Sequence, residues 1–439
     1  MRITGPLSEP IAKKLFKPNK KQDSFTSHSL NYGEIVDPEN GSLVDEVLLV
    51  VMRSPKTYTR EDVVEIQCHG GYFILQKVLE LVLKEGARFA QPGEFTKRAF
   101  LNGRIDLAQA EAVIDLIKAK TETSLEIANQ QLRGRLQREM AAVKKELIEN
   151  LALIEAHIDF PEEEIDLNSL ESLRQGLTDM ILRIGDWASS YDEGKIFREG
   201  ITCAIVGKTN VGKSSLLNVL AKEERAIVTP IPGTTRDLIE EVLNISGIPV
   251  RLVDTAGLRN ASDLIEKEGV RRTKEKVADS DLVLLMLDGS RSLDSDDIEI
   301  LEETKEKKKI LVLNKNDLPI RICIEEMVNR FRDEPIISIS ALKNEGIDSL
   351  KKSIYNSLIH REIRSSPDFL IVANLRHKTA LAGARDNLVN AKKGLEEGSS
   401  PEFIAFEIRS ALDALGEIVG ETTSEDVLNL IFEQFCIGK

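Results

Sequence analysis

The sequence predicts a multidomain α/β plus α protein. It has an N-terminal α+β unit, a helical domain assembled from two separated chain segments, and between those segments an inserted α/β domain with a mainly parallel sheet. Three observations lead there. The chain has 439 residues, beyond the size at which a single hydrophobic core keeps growing. Between Ile201 and Ile354 the apolar runs ITCAIVG, VRLVDTAG, DLVLLMLDG, KKILVLNKND and PIISISA alternate with helical patterns. Continuous apolar strands of that kind belong to a parallel sheet covered on both faces. The chain on either side of this region reads as helix.

Residues 1–95 mix turn signals with short apolar runs. Val47 to Met52 and Val63 to Gln67 read as strands, and HGGYFILQKVLELVLKEG as a turn followed by a helix ending at Gly86. From Gly93 the character changes. DLAQAEAVIDLIKAKTETSLEIANQQLRGRLQREMAAVKKELIENLALIEAHI is almost free of Gly and Pro, with apolar residues at helical spacing. Pro161 stops it, and a further helix is expected from about Leu167 to Trp187. After Arg361 the chain is helical again to its end. Domain termini commonly lie close together, which permits one domain to be inserted into another. The expected segments are 1–95, 96–198 (first helical part), 199–358 (inserted α/β domain) and 359–439 (second helical part). There is no internal repeat and no low-complexity stretch.

Composition narrows the class of protein. Apolar residues make up 41% and charged residues 30%, as in a soluble globular chain. No apolar run is long enough to cross a bilayer, and the N-terminus lacks the apolar core of a signal peptide. Cys68, Cys203, Cys323 and Cys436 are far apart and form no CxxC pair. That argues against a zinc site or disulfide framework and for a reducing, cytoplasmic compartment. The net charge of −14 (59 basic, 73 acidic residues) argues against non-specific coating of nucleic acid. A local RNA contact remains compatible, because residues 1–100 carry 14 Lys/Arg against 13 Asp/Glu.

Chemistry concentrates in the inserted domain. GKTNVGKS, residues 207–214, lies between an apolar strand and a helix, the context a phosphate-binding GxxxxGK[ST] loop requires. Asn210, Val211, Gly212, Lys213, Ser214 and Ser215 are the expected phosphate contacts. Backbone N–H groups and the helix N-terminus face the phosphates, Lys213 reaches the β- and γ-oxygens, and Ser214 ligates Mg²⁺. Asp254-Thr255-Ala256-Gly257 supplies a magnesium-side carboxylate and a glycine N–H that senses the γ-phosphate. Asn314-Lys315-Asn316-Asp317 closes another buried strand. Alone it could cap a helix; after a strand and a phosphate loop it reads guanine. Asp317 accepts from N1–H and the 2-amino group, the Lys315 stem packs along the ring, and Ser340-Ala341-Leu342 aims an N–H at O6. The fourth element is Thr229-Pro230-Ile231-Pro232-Gly233-Thr234-Thr235, a loop that folds over the γ-phosphate. Thr234 and Thr235 are its candidates for Mg²⁺, with Thr235 favoured. One residue is out of keeping. Leu258 follows Gly257, where many GTP switches place a glutamine that orients the attacking water.

GKTNVGKSSLLN, PGTTRD and DTAGLR resemble the TrmE–Era–EngA group of GTPases. GEFTKRAFLNGRIDLAQAEAVIDLI, AHIDFPEEEID and the terminal FCIGK are similar to one family within it, the MnmE (TrmE) GTPases of tRNA-uridine 5-carboxymethylaminomethyl modification. The resemblance covers nearly the whole chain. It implies an N-terminal folate-binding and dimerisation domain and a Ras-like P-loop GTPase domain inserted into the helical one. It further implies K⁺-stimulated GTP hydrolysis. K⁺ would be held by Asn210 and by oxygens of Thr229, Ile231 and Thr234, standing where an arginine finger would insert and neutralising transition-state charge. The residues alone rank Asp263, Glu266 and Glu268 equally as orienters of the water; the resemblance selects Glu266. It places 5-formyl- or methylene-tetrahydrofolate against Arg2, Glu65, Arg104 and Lys439. The implied assembly is a homodimer that forms a heterotetramer with a flavin-dependent MnmG/GidA-like partner and acts on the wobble uridine of tRNA, with no membrane involvement. The likeness starts at MRITG, so the family's first strand and glycine-rich turn are expected to be missing, leaving a sheet edge.

Cys436 has two readings. A lipidated terminal cysteine fits poorly with the final Gly-Lys and the lack of a polybasic run, and a thiol near the folate fits better. Two rival functions make demands of their own on the sequence. An Era/EngA-like ribosome-assembly switch would carry an RNA-binding domain after the GTPase domain, and no GXXG signature of that kind is present. A dynamin-like membrane GTPase would need a basic amphipathic helix or a lipid anchor.

Overall fold

The computed structural model describes residues 1–20, 24–160, 167–223, 242–254, 277–332, 334–359, 370–435 and 438. By contacts the chain divides into two compact units. One comprises Met1–Ile114, Gln131–Glu149 and Leu412–Lys439, and the other Asp115–Gln130 and Asn150–Ala411.

The first unit is built on an antiparallel sheet. Its strands are β1 (Arg2–Thr4), β2 (Phe16–Pro18), β3 (Ser29–Val36), β4 (Leu43–Met52) and β5 (Val63–Gln67), in the order β1-β5-β4-β3-β2. Strict alternation explains why β4 has one dry face: Val47, Leu49 and Val51 are buried, while Glu46 and Leu48 point outward. Helices α1 (Ser8–Leu15) and α2 (Tyr72–Lys84) cover the inner face with Ile11, Ala12, Leu15, Val78, Leu81 and Val82. The outer face retains Leu30, Tyr32 and Leu48 in the open. Tyr32 stands opposite Leu48 and Leu30 opposite Val50, so these side chains form a continuous apolar stripe. Helix α3 (Glu94–Leu101) follows. A smaller core joins Leu107, Ala110 and Ile114 to Ile431, Phe432 and Phe435.

The long helical stretch is three helices, not one: α4 (Leu107–Lys118), α5 (Glu122–Leu132) and α6 (Arg135–Asp159). The expected helix near 167–187 is α7 (Leu167–Ser189), followed by α8 (Tyr191–Glu199).

The second unit holds a six-stranded mixed sheet. Its strands are β6 (Ile201–Val206), β7 (Val242–Ile245), β8 (Ile248–Asp254), β9 (Leu282–Asp288), β10 (Lys309–Asn314) and β11 (Ile336–Ser338), in the order β11-β10-β9-β6-β8-β7. Every neighbouring pair is parallel except β7–β8, a hairpin turned at Ser246 (φ +53) and Gly247 (φ +95). Two positive φ values in a two-residue loop match the right-handed twist of the flanking strands. One face of the sheet packs on α9 (Lys213–Glu223), the other on α10 (Ser295–Glu303) and α11 (Ile324–Arg330). Helix α12 (Ile347–Leu358) adds Ile347, Leu350 and Ile354 to the first of these cores. The chain continues through α13 (Leu375–Glu397), α14 (Pro401–Val419) and α15 (Glu425–Glu433), and α7 packs along α13.

Cys203 is fully enclosed within β6, Cys68 is half-buried and Cys323 is exposed; all three are free thiols. Burial pushes the Cys203 thiol up to about 12. Among the described residues no helix is long and apolar enough to cross a membrane, and no cluster of three potential metal-binding side chains occurs.

Candidate functional site

The site occupies the carboxyl edge of the six-stranded sheet, the edge at which open α/β sheets bind ligands. Asp254 ends β8 opposite Ile205 of β6, and Asn314 ends β10 opposite Asp288 of β9. Between β6 and α9 the chain turns through residues 207–212. The first helical bond of α9 runs from the Leu216 N–H to the Gly212 carbonyl (2.9 Å). The N–H groups of the preceding turn have no helical acceptor and lie at the positive end of the helix. Val211 is fully buried and anchors the loop in the core, while Asn210 (φ +62), Ser214 and Ser215 are exposed. Lys213 is buried, and its Nζ donates to the carbonyls of Gly207 (2.7 Å) and Lys208 (2.5 Å), holding the ammonium over the loop.

Gly212 is fixed by its neighbours. Its φ is +101, and a Cβ there would overlap the Asn314 amide. Asn314 is buried. Its Nδ2 donates to the Val211 carbonyl (2.7 Å) and its Oδ1 accepts from the Ala341 N–H (3.0 Å). The structure thus makes Asn314 a strut between the phosphate loop and the loop after β11.

The segment expected to read the base follows directly. Asp317 is half-buried, and its Oδ1 accepts from the Ser340 hydroxyl (2.6 Å). That bond holds the Asp317 carboxyl below the usual carboxylate range. An ionised carboxylate is what the paired N–H donors of guanine require, and adenine offers no such pair. Ser340 is fully buried and its Oγ accepts the Lys343 N–H (3.2 Å); Ala341 is buried and Leu342 is exposed. The Asn316 N–H donates to the Ile339 carbonyl (3.0 Å).

Two acidic residues escaped the sequence reading. Asp288 accepts from Lys315 Nζ (2.7 Å), and Asp294 accepts from Lys208 Nζ (2.5 Å). Asp294 also caps α10 by accepting the N–H groups of Asp296 and Asp297. Lys208, together with the capping N–H groups, brings its carboxyl down to about 2. A carboxylate closing the apolar strand DLVLLMLDG was the available signal for Asp288.

Residues 229–235, Thr255, Ala256, Gly257, Leu258, Glu266, Cys436 and Lys439 lie outside the described residues. Two described side chains suit a magnesium nucleotide: Lys213 lies over the loop, and Ser214 presents a hard hydroxyl oxygen in the first turn.

In the first unit, Arg2 stands opposite Glu65 across the β1–β5 ladder and pairs with it (2.5 Å). Arg104 belongs to a different place. Its guanidinium lies 4.5 Å from the Tyr58 ring centroid, and its Nη1 donates to the Tyr58 carbonyl (3.2 Å). It lines a cleft of about 470 Å³ with Phe100, Asp106, Gln109, Met140 and Lys144, and neither Arg2 nor Glu65 reaches that cleft.

A GxxxxGKS loop and an ionised carboxylate of the kind guanine requires, both on the carboxyl edge of a doubly covered sheet, mark a P-loop GTPase. Matches beyond that domain refine the class. A family model described as the MnmE helical domain matches residues 107–436, and one described as the GTP-binding protein TrmE N-terminus matches residues 1–104. The chain belongs to the MnmE family of tRNA modification GTPases. It is 50% identical to the tRNA modification GTPase MnmE of Geobacter sulfurreducens, with 100% of this chain and 95% of the relative covered. It is 47% identical to that of Thermoanaerobacter pseudethanolicus, covering 100% and 96%. A solved structure of Aquifex aeolicus Era bound to GDP·AlF4⁻ is 31% identical over 43% of this chain and 66% of that one, with a TM-score of 0.30. The protein is a GTP-hydrolysing enzyme.

Proposed function

We propose that this chain is a K⁺-stimulated GTPase that works with a flavin-dependent partner at carbon 5 of the wobble uridine of certain tRNAs. Together they install an aminomethyl or carboxymethylaminomethyl group, using the one-carbon unit of a tetrahydrofolate and glycine or ammonia. GTP hydrolysis supplies conformational change rather than carbon chemistry. The observation that carries this reading is the unbroken likeness to tRNA modification GTPases along the whole chain, joined to a site whose carboxylate suits guanine.

Two features support the finer parts. Asn210 stands exposed in the phosphate loop at φ +62, where its side-chain oxygen is available to a monovalent cation beside the β–γ bridge. The outer face of the five-stranded sheet carries the stripe Leu30, Tyr32 and Leu48 beside the Arg2–Glu65 pair. Such a face suits a second copy of the chain and a flat heteroaromatic ring with N–H donors. Glu266 remains the residue assigned to the attacking water.

The test is GTP turnover in K⁺ against Na⁺, together with nucleoside analysis of tRNA from a strain lacking the gene. Turnover should be strongly faster in K⁺, Asn210→Ala should erase that preference, and the wobble modification should be absent from the deletion strain. Equal turnover in both salts removes the K⁺ mechanism. Intact wobble nucleosides with defective ribosomal particles would replace the tRNA reading altogether. Normal multi-turnover modification by a Glu266→Ala enzyme that cannot hydrolyse GTP would refute the conformational role.

A further inference from the structure

Lys315 is the member of the guanine-reading segment whose side chain has most freedom to lose, because a lysine stem carries several rotatable bonds. In this structure that freedom is already removed. Its Nζ is 2.7 Å from Oδ2 of Asp288, the last residue of the neighbouring strand β9. The acceptor is itself immobilised, since Oδ1 of Asp288 receives the Ser290 hydroxyl (2.6 Å) and the Ser290 N–H (3.0 Å). Only 10% of the Asp288 side chain is exposed, against 32% for Lys315. Burial alone would raise the Asp288 carboxyl, but the bonds from Lys315 and Ser290 outweigh it and hold the group below its ordinary value. The carboxylate is therefore ionised whenever the protein is folded near neutral pH. Lys315 itself has φ +67, and the register of β9 with β10 sets Asp288 beside Asn314, one residue before it.

We infer that Asp288 is a positioning residue for guanine-nucleotide binding, fixing the Lys315 ammonium so that the lysine stem stands as a preformed wall of the base pocket. A wall ordered before the ligand arrives adds no ordering cost to binding. Asp288 acts on the base only through its contact with Lys315. The inference rests on the reading of Lys315 and Asp317 as the base-contacting residues.

The experiment titrates the full-length chain with a fluorescent GDP and measures steady-state GTP hydrolysis. Loss of a charge-assisted hydrogen bond predicts that Asp288→Ala weakens GDP about 10- to 100-fold. KM for GTP should rise in parallel while kcat at saturation stays within about twofold. In a Lys315→Ala background the same change should add less than about twofold, because the partner is gone. The preference for GDP over inosine diphosphate, which lacks the 2-amino group, should survive Asp288→Ala and collapse in Asp317→Ala. Unchanged GDP affinity in Asp288→Ala overturns the inference, as does a full loss repeated in the Lys315→Ala background. If Asp317→Ala leaves base preference intact, the base-reading assignment fails instead. Should Asp288→Ala not fold, Asp288→Asn keeps the size and an acceptor oxygen and carries the same comparison, with an expected loss of about 3- to 10-fold.

Discussion

At the residue scale, Asn314 shows how much one buried amide can organise. Its two polar ends are spent on Val211 of the phosphate loop and Ala341 of the loop after β11, and Gly212 has no side chain because the amide occupies that space. Asn314→Ala would leave a buried carbonyl and a buried N–H without this partner, each costing about 1–3 kcal/mol. The expected result is a lower melting temperature together with weaker binding of both GDP and GTP, read by calorimetry and nucleotide titration. Glu94 makes a different prediction. Its carboxyl is partly buried, which opposes ionisation, yet bonds from Arg88, the Gln91 N–H and Arg98 hold it at about 2 against an ordinary 4.5. A depressed carboxyl stabilises the fold above its unfolded value and loses that contribution as pH falls through the folded one. The stability gap between wild type and Glu94→Gln should therefore be complete above about pH 4.5 and vanish towards pH 2, as measured by denaturant unfolding across that range. The turn between β6 and α9 and the Asn314–Asp317 segment, the expected phosphate and guanine contacts, were legible from residue order and type. The Asp288 and Asp294 contacts were not, because each pairs with a lysine brought near only by strand register or loop packing.

At the element scale, the β7–β8 hairpin lies in sequence between residues 224–241 and 255–276, two stretches outside the described residues. Its tip is held from outside the sheet. The Thr121 hydroxyl donates to the Gly247 carbonyl (2.8 Å) and shares a contact of 2.6 Å with Ser124, whose own hydroxyl donates to the Phe197 carbonyl (2.7 Å). These hydroxyls are buried, so each bond is costly to lose. Thr121→Val keeps the shape and removes the donor. It should lower stability by about 1–3 kcal/mol. Amide exchange in residues 242–254 should accelerate while β9 and β10 stay protected; unchanged hairpin protection would show that the anchor does not matter. Strands β6, β9 and β10 were readable because burial on both faces makes them continuous apolar runs. The hairpin partner β7 and the short strands β1 and β2 were not, since three or four residues carry too little periodicity. The helical stretch after residue 107 reads as one run by composition. Only the turns at 119–121 and 133–134, the second with Gly134 at φ +73, divide it into three.

At the scale of the whole molecule, two compact units each contain their own apolar cores: the first has one beneath the antiparallel sheet and the smaller one around Leu107 and Phe432, and the second has two flanking the mixed sheet. The sequence alone placed the mainly parallel sheet, and the expected nucleotide residues fall at its carboxyl edge. The N-terminal sheet was harder, since two of its five strands were read: β1 and β2 are only three residues long, β1 pairs with a strand some sixty residues on, and β3 mixes exposed apolar with polar residues. Function at this scale came from likeness rather than from physics: guanine recognition follows from carboxylates and loops, whereas a tRNA substrate leaves no single residue signature in an acidic chain. The thiols carry a practical consequence. Of the described cysteines, Cys203 is sealed inside β6 with its sulfur held protonated, and Cys68 is half-covered, whereas Cys323 projects from the GTPase domain immediately before α11. A maleimide spin label should therefore report Cys323 far ahead of those two, giving a native reporter on the GTPase domain as nucleotide is exchanged.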